Sequence, residues 1–216
     1  MALILHHCHD ARSVRTAWLL EELGLDYELV IHTFGRELQE DDYLAKSPAG
    51  RVPCLEMDGT ALIETGAITE ILCEAHPNHL FRAPGDPERR AWLQWLHFAE
   101  TIGQHVAVLT QQHIVLFPEA RSVGVMKLER RRLEKTLRVV DAALAGQDYL
   151  LPSGFSAIDI NVGYAVHVAG YFTPLADVPN VARYHARLTT RKSFEKLRPP
   201  AGAQRIYSQE FYDLPG

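Results

Sequence analysis

Residues 47–65, SPAGRVPCLEMDGTALIET, decide how this chain folds. Val52-Pro53 follows Gly50-Arg51 and leads into Cys54-Leu55-Glu56-Met57, so Pro53 stands where a loop becomes a strand and a missing N–H is tolerated. Asp58-Gly59 between two short apolar runs is a type I′ hairpin signal and makes 54–57 and 60–63 antiparallel partners. The period then changes from two to between three and four. Ile68, Ile71, Leu72 and Ala75 share one face of a helix, and Thr65 is the expected cap at its start.

A helix start offers unpaired N–H groups and a partial positive charge, which suits a carboxylate. A residue preceding a cis proline presents its N–H and C=O sideways, where an extended peptide can pair as an added strand. With Val52-Pro53 cis, the two features describe a pocket for a small acidic, peptide-like ligand. The order loop, Val-Pro, hairpin, Glu-Thr, helix resembles the glutathione-binding half of the cytosolic glutathione transferases. That resemblance implies that Val52 and Pro53 hold the cysteinyl backbone of glutathione, and that Glu64 and Thr65 hold its γ-glutamyl end. Arg51 either contacts the ligand's backbone or terminal carboxylate, or is a plain exposed side chain. Lys46, His32 and Arg36 are weaker candidates.

Around this stretch the chain falls into two parts. Ala2-Leu3-Ile4-Leu5 reads as a strand covered on both faces, and Arg12 to Leu23 as a helix closed by Gly24 as its C-cap. Tyr27 to Ile31 is the next strand, and a strand–helix–strand order demands a right-handed crossover between parallel strands. With the hairpin and its helix this gives an α+β thioredoxin-like domain over 1–77. A turn-rich linker, 78–87, follows the stop at His76-Pro77-Asn78. Residues 88–216 then read as an all-helical domain. Trp92, Trp95, Leu96, Ala99 and Ile102 form one core stripe, and Leu133, Leu137, Val140 and Leu144 another. In the helix near Pro152–Ala165, Ser156 is the N-cap, Asp159 its capping-box partner, and Phe155 can staple to Ile160. Two further helices are expected at Val181–Leu188 and Ser193–Leu197.

The 216 residues are 47% hydrophobic and carry a formal net charge of −5. That balance argues against nucleic acid as a partner. The Arg130-Arg131-Arg132 run lies between Glu129 and Glu134 and reads as a solvated helix face. No apolar run approaches the roughly 18 residues of a membrane span, and the N-terminal run is too short for a signal peptide, so no membrane and a cytoplasmic location are expected. Three cysteines without a CxxC spacing oppose a disulfide framework. His6-His7-Cys8-His9-Asp10 has metal-ligand residue types. Neighbours on a strand point to opposite faces, however, so no metal is expected there.

Catalysis is where the pattern departs from the family. The residue four before Arg15, where a serine, threonine or cysteine often stands, is Ala11. A free thiol with pKa about 8.5 is only a few per cent ionised at neutral pH. Lowering it by two units takes about 2.7 kcal/mol. A helix dipole gives about 0.3–1 kcal/mol and a hydrogen bond to a charged group about 1.5–3, so one added donor is needed. Ser13, with Arg12 assisting, is the expected catalytic group, beside the local backbone N–H groups. The resemblance implies a homodimer, which the apolar load of the fourth helix also favours. It further implies glutathione as co-substrate and a detoxifying transferase for a small hydrophobic electrophile. The electrophile pocket would lie between the domains, with His97, Phe98, His105 and Tyr164 as lining by helical position. Ala11 keeps open a non-catalytic glutathione- or partner-binding protein, and Cys8 a thiol-dependent reductase.

Overall fold

The computed structural model describes residues 2–76 and 78–215. Strands β1 (Leu3–His7), β2 (Glu28–Ile31), β3 (Cys54–Met57) and β4 (Thr60–Ile63) form one sheet in the order β2-β1-β3-β4. β1 and β2 are parallel, and the other two pairings are antiparallel. The crossover is helix α1 (Ser13–Leu23), closed as expected by Gly24 at φ 66. The β3–β4 turn carries Asp58 at φ 49 and Gly59 at φ 81, the two positive angles that a type I′ turn requires. Helix α3 (Thr65–Ala75) follows β4. The third helix was expected to stop at His76-Pro77-Asn78; it ends at Ala75, and Pro77 lies outside the described residues.

Leu5, Trp18, Leu20, Leu55, Ile68 and Leu72 are fully buried and bind α1 and α3 to the sheet. Each such side chain contributes about 1.5–3 kcal/mol on burial. Between β2 and β3 the chain makes a 3-10 turn at Arg36–Gln39 and the short helix α2 (Asp41–Leu44). Neither has a clear apolar period, and neither was anticipated.

The chain divides into two compact units. The first runs through Ala83 and also takes in Arg191–Ile206, which includes α8 (Lys192–Glu195). The helical part therefore does not continue unbroken from 88 to the C-terminus. The cause is local. Trp18 Nε1 donates to Ser193 Oγ at 3.1 Å, Arg191 grips Glu22 with Nε at 2.7 Å and Nη2 at 2.8 Å, and the Phe194 ring meets Trp18 edge-on.

The second unit comprises Pro84–Thr190 and the tail from Tyr207. It holds α4 (Arg89–Thr110), a π-helical turn at Gln111–Val115, α5 (Val123–Ala143), α6 (Ala157–Ala169) and α7 (Pro179–Thr189). Both expected stripes are buried, and α6 is buried on nearly every side. Among the described residues no helix is long and apolar enough to cross a membrane.

The α6 capping box forms as expected. Asp159 accepts from the N–H groups of Ser156 at 2.8 Å and Leu150 at 3.1 Å and from the Tyr184 hydroxyl at 3.0 Å. Burial pushes its carboxyl up to about 6 against the pull of these donors. Asp159→Ala strands buried donors and removes a cap, so it should lower unfolding free energy by about 2–3 kcal/mol. Denaturant titration of the two proteins measures this, and an unchanged midpoint would remove the capping account.

Candidate functional site

The sheet register assembles one edge. Cys54 pairs with His6 on one side and Ile63 on the other, and His7 with Ile31. The exits of β1 and β4 and the entry of β3 therefore lie together. Beyond those ladder ends stand the starts of α1 and α3 and the Val52–Pro53 peptide, which is cis.

The proline loop is braced from behind. The Arg51 carbonyl accepts from Tyr43 Oη at 2.6 Å and Ser47 Oγ at 2.9 Å, and Gln39 Nε2 donates to the Gly50 carbonyl at 3.4 Å. Gly50 has φ 59, and a Cβ there would lie 2.8 Å from the Leu38 carbonyl oxygen, so a side chain is excluded twice over. Val52 and Pro53 are buried by this packing, whereas the Arg51 side chain is exposed.

At the other arm Glu64, not Thr65, is the N-cap of α3, with φ 72 and ψ 114. The expected cap is thus the first helical residue. A non-glycine residue in that region costs on the order of 1–3 kcal/mol and marks a constrained position. Thr65 is buried, and its carbonyl accepts the Thr69 hydroxyl at 2.8 Å. The first turn of α3 holds no acidic residue to offset its dipole.

The β1–α1 turn divides the two side chains expected to act on a thiol. Arg12 is the N-cap of α1 and half-buried. Ser13 is fully buried. Its Oγ lies 2.9 Å from His7 Nδ1, accepts the Cys8 N–H at 3.3 Å and lies 3.4 Å from the Cys8 carbonyl. The hydroxyl is committed to the interior and would have to leave these partners to meet a ligand. Ala11 closes the turn through its N–H to the Cys8 carbonyl at 3.2 Å. Burial, and then the Glu37 charge, push the Cys8 thiol to about 12, so it stays protonated near neutrality and the reductase option loses its nucleophile.

Several weaker candidates are committed elsewhere. His32 Nε2 meets His6 Nδ1 at 2.8 Å, and Lys46 and His6 both bind Glu56, at 2.5 and 2.8 Å. His105 is buried against Glu129 at 2.7 Å, which also takes Arg132 at 2.7 Å. Arg205 was missed altogether: it forks onto Asp10 in the β1–α1 turn, with Nε to Oδ2 at 3.0 Å and Nη2 to Oδ1 at 2.9 Å. At a sequence separation of 195, no local signal links the pair.

The sequence pattern described as "Glutathione S-transferase, N-terminal domain" matches residues 5–80. The probable glutathione S-transferase GSTF2 of Oryza sativa subsp. japonica is 30% identical over 207 residues, covering 87% of this chain and 93% of that protein. Among solved structures, BphK, a bacterial glutathione S-transferase crystallised as a ternary complex, is 28% identical with TM-score 0.77 over 90% of this chain and 96% of its own. The transferase URE2P6 of Phanerochaete chrysosporium, solved with oxidised glutathione, shares the fold at TM-score 0.80 and 22% identity, over 90% of this chain and 94% of its own.

Burial, with the neighbouring His9, lowers His7 to about 4, well below its ordinary value. Because the folded value lies below the unfolded one, the contribution of His7 to stability is present above about pH 6.5 and is lost as pH falls through 4. It amounts to about 3 kcal/mol. Unfolding free energy measured from pH 7 to 4 should therefore fall less steeply in His7→Gln than in the wild type. Parallel curves would contradict a buried, neutral His7.

Proposed function

The chain belongs to the glutathione S-transferase family, and from that premise we propose that it transfers glutathione to a small hydrophobic electrophile by binding the thiol as thiolate. The observation that carries the proposal is the shared sheet edge, where a cis-proline peptide and two helix starts converge. Glutathione, as co-substrate, pairs its cysteinyl backbone with the Val52 peptide beside Pro53. Its γ-glutamyl carboxylate meets the start of α3, where the Thr65 hydroxyl and N–H, the helix dipole and the backbone set by Glu64 act together. Arg51, exposed at the loop, reaches the ligand's other carboxylate.

The cysteinyl sulfur then lies toward the start of α1. There the Arg12 guanidinium and the first N–H groups of the helix stabilise the anion, and Ser13 braces the turn from inside through His7 and Cys8. Together a helix dipole and one charged donor reach the roughly 2.7 kcal/mol that a two-unit drop in thiol pKa requires. The thiol proton leaves to solvent. The thiolate attacks the electrophilic carbon, forms the C–S bond and either displaces a leaving anion or adds to an activated double bond, whose electron pair then takes up a proton from solvent. A cytoplasmic homodimer with a detoxifying role completes the reading. A second reading, glutathione binding without turnover, is favoured by Ala11 and by the buried Ser13 hydroxyl.

Thr65→Ala should weaken glutathione binding by about 1–3 kcal/mol, the scale of a hydrogen bond to a charged group, with the fold intact. Calorimetry checks this, and unchanged affinity would place the acid end elsewhere. Thiolate absorbance of bound glutathione against pH separates the two readings. Arg12→Met should raise the bound thiol's pKa by about one to two units. Ser13→Ala should raise it less, through a loosened turn. A wild-type complex titrating like free glutathione would make the binding-only reading the correct one.

A further inference from the structure

We infer that His6 and His32 are positioning residues for the peptide ligand: while a hydrogen bond joins their rings they brace the proline loop through Tyr43, and its loss in acid makes glutathione binding pH-sensitive. The inference rests on the glutathione reading above. His6 is buried in β1 and is engaged at both ring nitrogens. Its Nδ1 lies 2.8 Å from His32 Nε2 and its Nε2 lies 2.8 Å from Glu56 Oε1, which also accepts Lys46 Nζ at 2.5 Å. The Tyr43 ring packs against both imidazoles, with centroids 5.5 Å from His6 and 4.9 Å from His32. Its hydroxyl donates to the Arg51 carbonyl at 2.6 Å, immediately before the Val52 peptide that the ligand's backbone is to meet. A line of side chains therefore runs from the sheet to the proline loop.

The hydrogen bonds dictate where the protons sit. His6 and then Lys46 hold the Glu56 carboxyl below the usual carboxylate range, so it accepts and His6 Nε2 donates. In a neutral His6 the Nδ1 is then the acceptor, and His32 Nε2 carries the proton of the contact. One added proton keeps the bond, because one of the two facing nitrogens stays bare. With both rings protonated, two N–H groups face each other and the bond breaks. Burial, and then the neighbouring His6, keep His32 below its ordinary value of 6.5, with Lys46 acting in the same direction and Glu37 and Glu40 opposing. The other titratable groups about Tyr43, the Cys8 and Cys54 thiols and the Tyr43 hydroxyl itself, are pushed up by burial and stay protonated in acid. When His32 takes its proton it leaves His6, Tyr43 loses a ring it packs against, and the hold on the Arg51 carbonyl slackens. The ligand binds the braced loop and thus the form with fewer protons. Affinity is accordingly present above the His32 pKa and is lost as pH falls through it.

The test is calorimetry of S-methylglutathione with the full-length wild type, His32→Gln and Tyr43→Phe. That ligand has no thiol to ionise, and its carboxyl groups stay charged from about pH 7.5 to 5. Over this range the wild type should lose affinity by about tenfold. The amide in His32→Gln still offers His6 a donor but takes up no proton, so this variant should match the wild type within about twofold at the upper pH and stay there at the lower. Tyr43→Phe leaves Ser47 Oγ on the Arg51 carbonyl; it should weaken binding at both pH values and flatten the dependence between them. A merely structural role would lower affinity by one factor at every pH and keep the wild-type slope, and that outcome overturns the inference. A second readout needs no variant: near about pH 5.5, binding to the wild type in two buffers of different ionisation enthalpy should release protons, and more of them than at about pH 7.5. No such release, or a wild-type affinity independent of pH, overturns this inference alone. No S-methylglutathione binding by the wild type at either pH overturns the glutathione reading and this inference with it.

Discussion

Cys54 stands in register with His6 on one side and Ile63 on the other, and the site depends on that double register. Because β3 runs antiparallel to both neighbours, its entry lies beside two exits, and three separate chain turns meet at one edge. A slip of one residue in either pairing would turn Leu55 and Leu5 from the core to the opposite face. The apolar burial of α1 and α3 therefore fixes the geometry of the edge as well as the stability of the unit.

At that edge the backbone is held where it would not rest by itself. Glu64, at φ 72, immediately precedes α3, and Asp10, at φ 64, stands three residues before α1, the two helices that face the site. Non-glycine residues in this region persist only where their surroundings over-determine them. For Asp10 the surroundings include Arg205; for Glu64 they include the end of β4 and the α3 hydrogen bond from Ile68 N–H to the Glu64 carbonyl at 2.9 Å. Two helix starts with no acidic side chain in their first turns are thus aimed at one place, which suits an anionic ligand.

What could be read in the sequence was carried by local chemistry. Asp58-Gly59 dictates its turn through φ, Gly24 its cap, Ser156 and Asp159 their reciprocal hydrogen bonds, and Pro53 its place at a strand start. Ser13 is the expected thiol donor because it stands beside Ala11 at the start of α1 and the thiolate needs one added hydrogen bond. Its burial depends on His7 turning inward from β1, which is a matter of packing. Thr65 looked like the cap because threonine caps well, but the strained Glu64 takes that position. The α2 region lacks periodicity, and the return of Arg191–Ile206 to the first unit rests on Glu22, Trp18 and Asp10, contacts made across most of the chain.

The central claim is that glutathione occupies the edge shared by the proline loop and the two helix starts. Amide hydrogen exchange with and without glutathione tests it most directly. The account predicts slowed exchange concentrated at the Val52 amide and at Thr65, Gly66 and Ala67, whose N–H groups have no intrahelical acceptor, with a smaller effect at the start of α1. Protection confined to the second unit, or none at saturating glutathione, would contradict it.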